Sequence, residues 1–502
     1  MDFWNRPLSE VTICTSNTQS LLGLTDEQGC AQIEVPEGSE IILTLFNRQS
    51  RIVRVNTSRI EVRLSDKDRL FDIGYDERIR KSESTASLSQ AVSEDIQASG
   101  NTTVMNNLYG LIPGLGVYQG SNLPWDNSPS LYVRGQGSFG GNQVLVLVDG
   151  IERDMAQISP KEVESITVLK DAASLALYGN RGADGVVVIT TKRGGDHGLR
   201  SQIDYNFGVQ TPFRIPHMAD GYTYASAVNE ALSNDGLSPR YTMHDMRLIA
   251  GHMHPQLFPD IDWQALILRK VAFTHDVNLT FDGKGQRIRY FVYANYNSNR
   301  GFLNNTEMND GYSTQIGMDA LKVRSNIEAR LTKSTVARIN LMGRLMQYQH
   351  PSAGMYDTPA AAFYPLAPQS EGGGWVRSRL CKNPLADLTS RGYNTVLQRT
   401  LFADLTIDQN LEMITPGLSA QVRVAYDNSA EITDMRTCDF AYMEVSSAND
   451  EIGNVKELLY TPYGNNRNME FNSKLSTSIN RTSVWPKFCM TVNSEPMASR
   501  PA

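Results

Sequence analysis

Residues 202–209 read Gln-Ile-Asp-Tyr-Asn-Phe-Gly-Val, with the apolar members Ile203, Tyr205, Phe207 and Val209 on every second position. A period of two places alternate side chains on opposite faces of a strand, so this stretch predicts a strand with one apolar and one polar face. The pattern repeats along the second half of the chain. It returns at 275–282, 286–297 (Ile288, Tyr290, Val292, Ala294, Tyr296), 322–332, 335–346 (Ala337, Ile339, Leu341, Leu345), 400–408 and 418–427, and more weakly at 470–480. The opposite faces carry Arg287, Arg289, Arg324, Glu328, Arg330, Arg338, Arg344, Asp404 and Arg423.

The spacing between these segments narrows the fold. Only Gly283-Lys284-Gly285 joins the second to the third, and Lys333-Ser334 the fourth to the fifth, whereas the stretches 210–274, 298–321 and 347–399 are long. Short turns alternating with long loops is the pattern of an outer-membrane barrel. A soluble sandwich also alternates by two, but its connections are not sorted by length.

Composition agrees with a folded chain of several domains. The 502 residues are 40 % hydrophobic and 20 % charged, which fits neither a disordered chain nor a helical membrane protein. The longest apolar runs, VLVLV at 144–148 and VVVI at 186–189, are too short for a spanning helix and suit buried strands. Net charge is −7, so no basic footprint for nucleic acid is present. The five cysteines are scattered without a CxxC spacing and give neither a disulfide framework nor a zinc site.

Upstream of the alternating region the chain reads as three parts. Residues 1–66 predict short strands (AQIEV, IILTLF, RIVRV, RIEVRL) with turn punctuation, a β-sandwich-like module that lacks an opening strand. Residues 67–100 are polar and rich in serine and charge around the apolar island Leu70-Phe71-Asp72-Ile73-Gly74-Tyr75, and read as a mobile linker carrying a peptide. Residues 101–194 predict a small α/β unit. There Ser159, Pro160 and Glu162 form a capping box with proline at the first helical position, Asp171 caps a short helix, and Gly179 closes it.

That unit carries the resemblance. NNLYGLIPGLGV (106–117), SLYVRGQGS (130–138) and VLVLVDGIERDMAQISPKEVESITVLKDAASLALYGNRGADGVVVITTKRG (144–194) resemble the plug domain of SusC/RagA-type TonB-linked outer-membrane proteins. Residues 12–65 are similar to the carboxypeptidase-regulatory-like extension of that family, and LFDIGYDER (70–78) stands at the place of its TonB box. The box departs from the family pattern where Asp72 interrupts the apolar run and Asp76 replaces a final glycine. RYFVYANYNSNRGFL (289–303), LKVRSNIEARLTKSTVARINLMGRL (321–345) and NLEMITPGLSAQVRVAYDNS (410–429) look like early barrel strands of the family.

The resemblance implies a mainly β protein of four parts: a β-module at 1–66, a TonB-box linker at 67–100, a plug at 101–194 and the N-terminal part of an outer-membrane barrel at 195–502. It implies energised uptake of large nutrients, glycans or peptides, through a barrel of about 22 strands closed by the plug. The implied partners are TonB, a SusD-like surface lipoprotein and outer-membrane lipid; no enzymatic role, cofactor or metal is implied. The TonB box would be Leu70, Phe71, Asp72, Ile73, Gly74 and Tyr75. The plug motif would comprise Arg134, Gly135, Asp149, Gly150, Lys170, Asp171, Tyr178, Gly179 and Gly185. Arg134 and Asp149 are implied to hold the plug against the barrel wall, against the plainer readings of a strand-end charge and a turn.

Other signals are weaker. Gly135–Gly140 matches GxGxxG, but the next element reads as a strand, where a dinucleotide turn must open a helix. His252 and His254, with His244 nearby, lack a convincing carboxylate or cysteine partner in sequence. With no basic and apolar leader at the N-terminus and about eight barrel strands visible, the chain is expected to be a truncated receptor that does not close a pore alone. The alternative from another class is a soluble β-rich binding or adhesion protein.

Overall fold

The computed structural model describes residues 8, 11–15, 21–44, 51–58, 60–62, 70–74, 77–80, 84–120, 123–125, 129–137, 143–195, 197–212, 217–309, 311–352, 366–377, 382–415, 418–449, 455–463 and 470–490. The chain divides into two compact units, one of residues 1–120 with 128–191 and one of 121–127 with 192–502.

The first unit opens with a four-stranded antiparallel sheet of β1 (Thr12–Thr15), β2 (Leu21–Leu24), β3 (Glu40–Thr44) and β4 (Arg51–Arg54), in the order β2-β1-β3-β4. Val11, Ile13, Ile41 and Leu43 are its buried side chains. The strand expected at AQIEV is not formed; its Ile33 and Val35 instead pack against that cluster from an irregular segment.

Residues 67–100, expected to be a mobile linker, carry regular structure. Strands β5 (Leu70–Gly74) and β6 (Glu77–Arg80) form a hairpin, and β7 (Leu88–Val92) is followed by the short helix α1 (Ser93–Gln97). Composition misleads here because an edge strand needs main-chain partners and few apolar anchors; Ala91 and Ile96 supply these, both fully buried.

Strands β8 (Leu115–Tyr118) and β9 (Ser130–Val133) pair with each other. The central sheet then adds β10 (Leu145–Val148), β11 (Ile151–Glu152), β12 (Val163–Leu169) and, after helix α2 (Ala172–Leu175), β13 (Val186–Thr191). Its order is β11-β10-β13-β12-β7, with β10 and β13 parallel and the other pairs antiparallel. The runs VLVLV and VVVI are unbroken because both faces of this sheet are covered. Val187 and Ile189 face a cluster with Ile96, Leu108 and Ile166, while Val186 and Val188 face Leu145, Leu147, Leu169 and Tyr178. The capping box at Ser159 and Glu162 forms as the sequence predicts, on a single 3-10 turn.

The second unit is built on eight antiparallel strands in chain order. These are β14 (Arg200–Gln210), β15 (Ala272–Lys284), β16 (Ile288–Arg300), β17 (Gly317–Arg330), β18 (Thr335–Pro351), β20 (Gly392–Asn410), β21 (Leu418–Thr437) and β24 (Glu470–Met490). Every alternating segment of the sequence coincides with one of them, 286–297 and 322–332 overrunning an end by two residues. The short link β19 (Trp375–Val376) joins β22 (Tyr442–Asn449) and β23 (Val455–Tyr463) in a separate small sheet. Helices α3 (Gly221–Asn234), α4 (Met243–Ala250), α5 (Trp263–Ile267) and α6 (Pro384–Ser390) occupy the long connections. Among the described residues β14 and β24 are the edges of the large sheet.

The polarity of that sheet is inverted relative to a water-soluble protein. On β17, Leu321 and Val323 are 50 % and 45 % exposed, while Lys322 and Arg324 between and beside them are 7 % and 1 % exposed. Register carries the pattern across the sheet. Phe281, Val292, Ser325, Leu341, Ala403 and Tyr426 form one outward row, and Asp282, Phe291, Asn326, Asn340, Asp404 and Ala425 the adjacent inward one. Every member of that inward row is buried. The polar members are bonded, as in Asn340 Nδ2 to Asp404 Oδ2 at 2.6 Å. Buried polar atoms need such partners, whereas the outward apolar row matches a hydrocarbon solvent.

Candidate functional site

The island at 70–74 is a docked strand. Phe71 is buried, and Ile73 packs on the Leu145, Leu147, Leu169, Tyr178, Val186 and Val188 cluster. Asp72 seemed in sequence only to interrupt the apolar run. Its Oδ1 accepts the Gly74 N–H at 2.9 Å and its Oδ2 accepts the Thr190 hydroxyl at 3.0 Å, so the interruption ties β5 to β13. Gln90 Nε2 donates to the Leu70 carbonyl at 3.4 Å. The Tyr178 hydroxyl donates to the Ile73 carbonyl. Gly74 has φ +88°, and a Cβ there would lie 2.0 Å from Tyr178 Oη, so both conformation and space demand glycine. Tyr75 lies outside the described residues.

Asp149 and Gly150, at φ 50° and 82°, are the two central residues of a tight turn between β10 and β11, the left-handed pair a two-residue hairpin needs. The Asp149 carboxylate accepts the Thr191 N–H at 3.0 Å and its hydroxyl at 2.7 Å, which fixes the end of β13. Arg134 and Gly135, at φ 59° and 91°, turn the chain after β9, and the Arg134 N–H donates to the Gly114 carbonyl at 2.8 Å. Gly185, at φ +97°, leaves no room for a Cβ, which would sit 2.6 Å from Val133 Cβ.

Lys170 and Asp171 meet β7. Lys170 Nζ donates to Ser89 Oγ at 2.6 Å and to the Pro113 carbonyl at 2.9 Å. Asp171 divides its oxygens: Oδ1 caps α2 by accepting the Ser174 N–H at 3.1 Å, as the sequence predicts, and Oδ2 accepts the Ser87 N–H at 2.5 Å. Burial pushes the Asp171 carboxyl up, but the Ser87 and Ser174 hydrogen bonds and the Arg134 charge outweigh it and hold it below its usual value of 3.8. A depressed carboxyl contributes stability that is complete above the unfolded value and fades as pH falls through the folded one. Attachment of residues 87–92 should therefore persist down to about pH 4 and weaken below it. Amide exchange of that strand, corrected for intrinsic rates between pH 3 and 7, checks this.

Gly179 has φ 56° and ψ −143°, a region open to glycine alone, with nothing within 4 Å of an added Cβ. Gly179→Ala should thus cost strain without a clash, about 1–3 kcal/mol in denaturant unfolding of the full chain.

Sequence reasoning missed Thr190, Ser87, Ser89 and Gly114. Ser87 stands just before β7 and Ser89 within it, in a run whose composition hid the strand. It also missed Trp125, whose ring stacks on Tyr348 at 4.7 Å and on His350 at 5.5 Å. His252 lies 3.7 Å from Asp260, and among the described residues no group of three or more metal-ligating side chains is placed to hold an ion. Of the GxGxxG match, 138–140 lie outside the described residues.

A model of the TonB-dependent receptor plug domain family matches residues 80–186, the span from the end of β6 to the start of β13. TonB-dependent receptor P26 of Formosa agariphila is 29 % identical over 321 residues, 61 % of this chain and 30 % of the relative. TonB-dependent receptor SusC of Bacteroides thetaiotaomicron is 25 % identical over 296 residues, 56 % of this chain and 28 % of the relative. The plug-family match and these relatives together support a SusC/RagA-type TonB-dependent receptor. Its fold matches the RagAB peptide importer in the open-open state with a TM-score of 0.57 at 18 % identity, over 74 % of this chain and 43 % of that one. The chain spans about a third of the length of its curated relatives. The family match begins at 80 and so includes β7 and α1.

Proposed function

We propose that this chain serves an outer-membrane receptor that takes up large nutrients, peptide or glycan, with energy from TonB and a SusD-like lipoprotein as surface partner. In this reading 1–66 is a regulatory-like module, 67–100 carries the TonB box and leads into the plug sheet through β7, 101–194 forms the rest of the plug and 195–502 is barrel wall. The observation that carries it is the inverted sheet, apolar outward and hydrogen-bonded polar inward, following a plug-family domain.

Leu70–Tyr75 is the segment TonB would capture, by adding a strand through main-chain hydrogen bonds. Phe71 and Ile73 are turned into the plug, so capture requires that β5 first leave Tyr178 and Thr190. Opening is mechanical work in this reading, and no catalytic step enters it. Arg134 and Asp149 shape turns of the plug, and the resemblance adds their contact with the wall.

The test is location and topology together. In a Bacteroidetes host, the gene product that contains this chain should fractionate with the outer membrane, and protease added to intact cells should cut the loop between α3 and α4. Recovery from the soluble fraction would overturn the reading in favour of a soluble binding protein.

A further inference from the structure

We propose that Lys170 and Asp171 act as a clamp on the leading end of β7 and set the force at which that strand peels from the plug sheet. The inference rests on the receptor reading above for its biological use, and on geometry for its existence.

Among the described residues strand β7 is the edge of its sheet and pairs in the ladder with β12, in antiparallel register from Leu88 opposite Leu169 to Val92 opposite Ser165. Its N-terminal end is joined to the box hairpin, so once β5 has left Tyr178, Thr190 and Gln90, tension applied at 70–74 reaches residue 87 before any other part of the sheet. An edge strand pulled from one end loses its bonds in succession, and the first bonds set the threshold. Those first bonds are the ones Lys170 and Asp171 make, because both residues directly follow Leu169 at the open end of the ladder.

The two grips differ in kind and reinforce each other. Asp171 holds the main chain, through the Ser87 N–H, and stands on α2 through its second oxygen. Lys170 holds a side chain, Ser89 Oγ, and joins it to the Pro113 carbonyl on the segment leading to β8. Gly114 is needed beside it, since a Cβ there would lie 2.8 Å from Lys170 Cδ. Charged donors and acceptors make the stronger hydrogen bonds, so a short ladder is closed at its loaded end by its strongest contacts. Helix capping alone would use one Asp171 oxygen and no lysine.

Amide exchange on the full chain in detergent tests the clamp. Lys170→Met and Asp171→Asn should each raise exchange in 87–92 about tenfold, the equivalent of one charge-assisted bond, with β10 and β13 unchanged. Lys170→Arg, which keeps the charge and the donor, should stay close to wild type. Unchanged exchange in both variants overturns the proposal, as does a rise shared equally by 145–148 and 186–191, which would mark general destabilisation. If exchange rises as expected while the periplasmic domain of TonB fails to bind the chain, the clamp stands and the receptor reading falls.

Discussion

Gly74→Val should release the strand Leu70–Gly74 from the plug and leave the rest of the plug folded. The glycine has φ +88°, where a β-branched residue is strained, and its missing side chain is the space taken by Tyr178 Oη. Left-handed backbone costs about 1–2 kcal/mol and a forced overlap about 1–3 kcal/mol more. Together these match what the strand has to offer: one buried phenylalanine, one packed isoleucine and a few hydrogen bonds. Trypsin cleavage after Arg78 and Arg80 should accelerate by tenfold or more, and TonB's periplasmic domain should bind faster to the variant. Tyr178→Phe, which removes only the hydroxyl donor, should have a smaller effect in the same direction. Equal cleavage rates in wild type and Gly74→Val would show that the box is not held as described.

The second large effect separates the two faces of the sheet by one residue. Leu341 points outward, 44 % exposed, and Asn340 inward, 5 % exposed and bonded to Asp404. Arginine on the lipid face near the bilayer midplane costs about 2–4 kcal/mol. Leu341→Arg should therefore sharply reduce recovery from the outer-membrane fraction, and Leu405→Arg, across the ladder on the same face, should do likewise. Asn340→Leu should fail for the opposite reason, since it takes one hydrogen-bond donor from the buried Asp404 carboxylate at about 1–3 kcal/mol. Wild-type recovery of Leu341→Arg would contradict a lipid-facing outward row.

Much of this was legible in the chain because its signals are local. A period of two marked all eight strands of the large sheet, and the capping box at Ser159 and the cap at Asp171 were plain from residue type and spacing. The Asp149-Gly150 turn was equally readable, for only a short polar residue and a glycine settle easily in two consecutive left-handed positions. What could not be read were contacts far apart in sequence. Thr190 to Asp72, Tyr178 to Ile73 and Lys170 to Ser89 each join residues that no short window contains. The strand Leu88–Val92 was missed because its stability comes from a neighbouring backbone, which leaves little trace in its own composition.

The strict alternation along β14–β24 also bears on how such a chain can change over time. At Leu341 the only requirement is that the residue dissolve in oil; at Asn340, the preceding codon, it is that Asp404 keep an answering donor. Adjacent sites thus drift under unrelated rules, one permissive and one exacting, and the every-other-residue rhythm can outlast most of the letters that compose it.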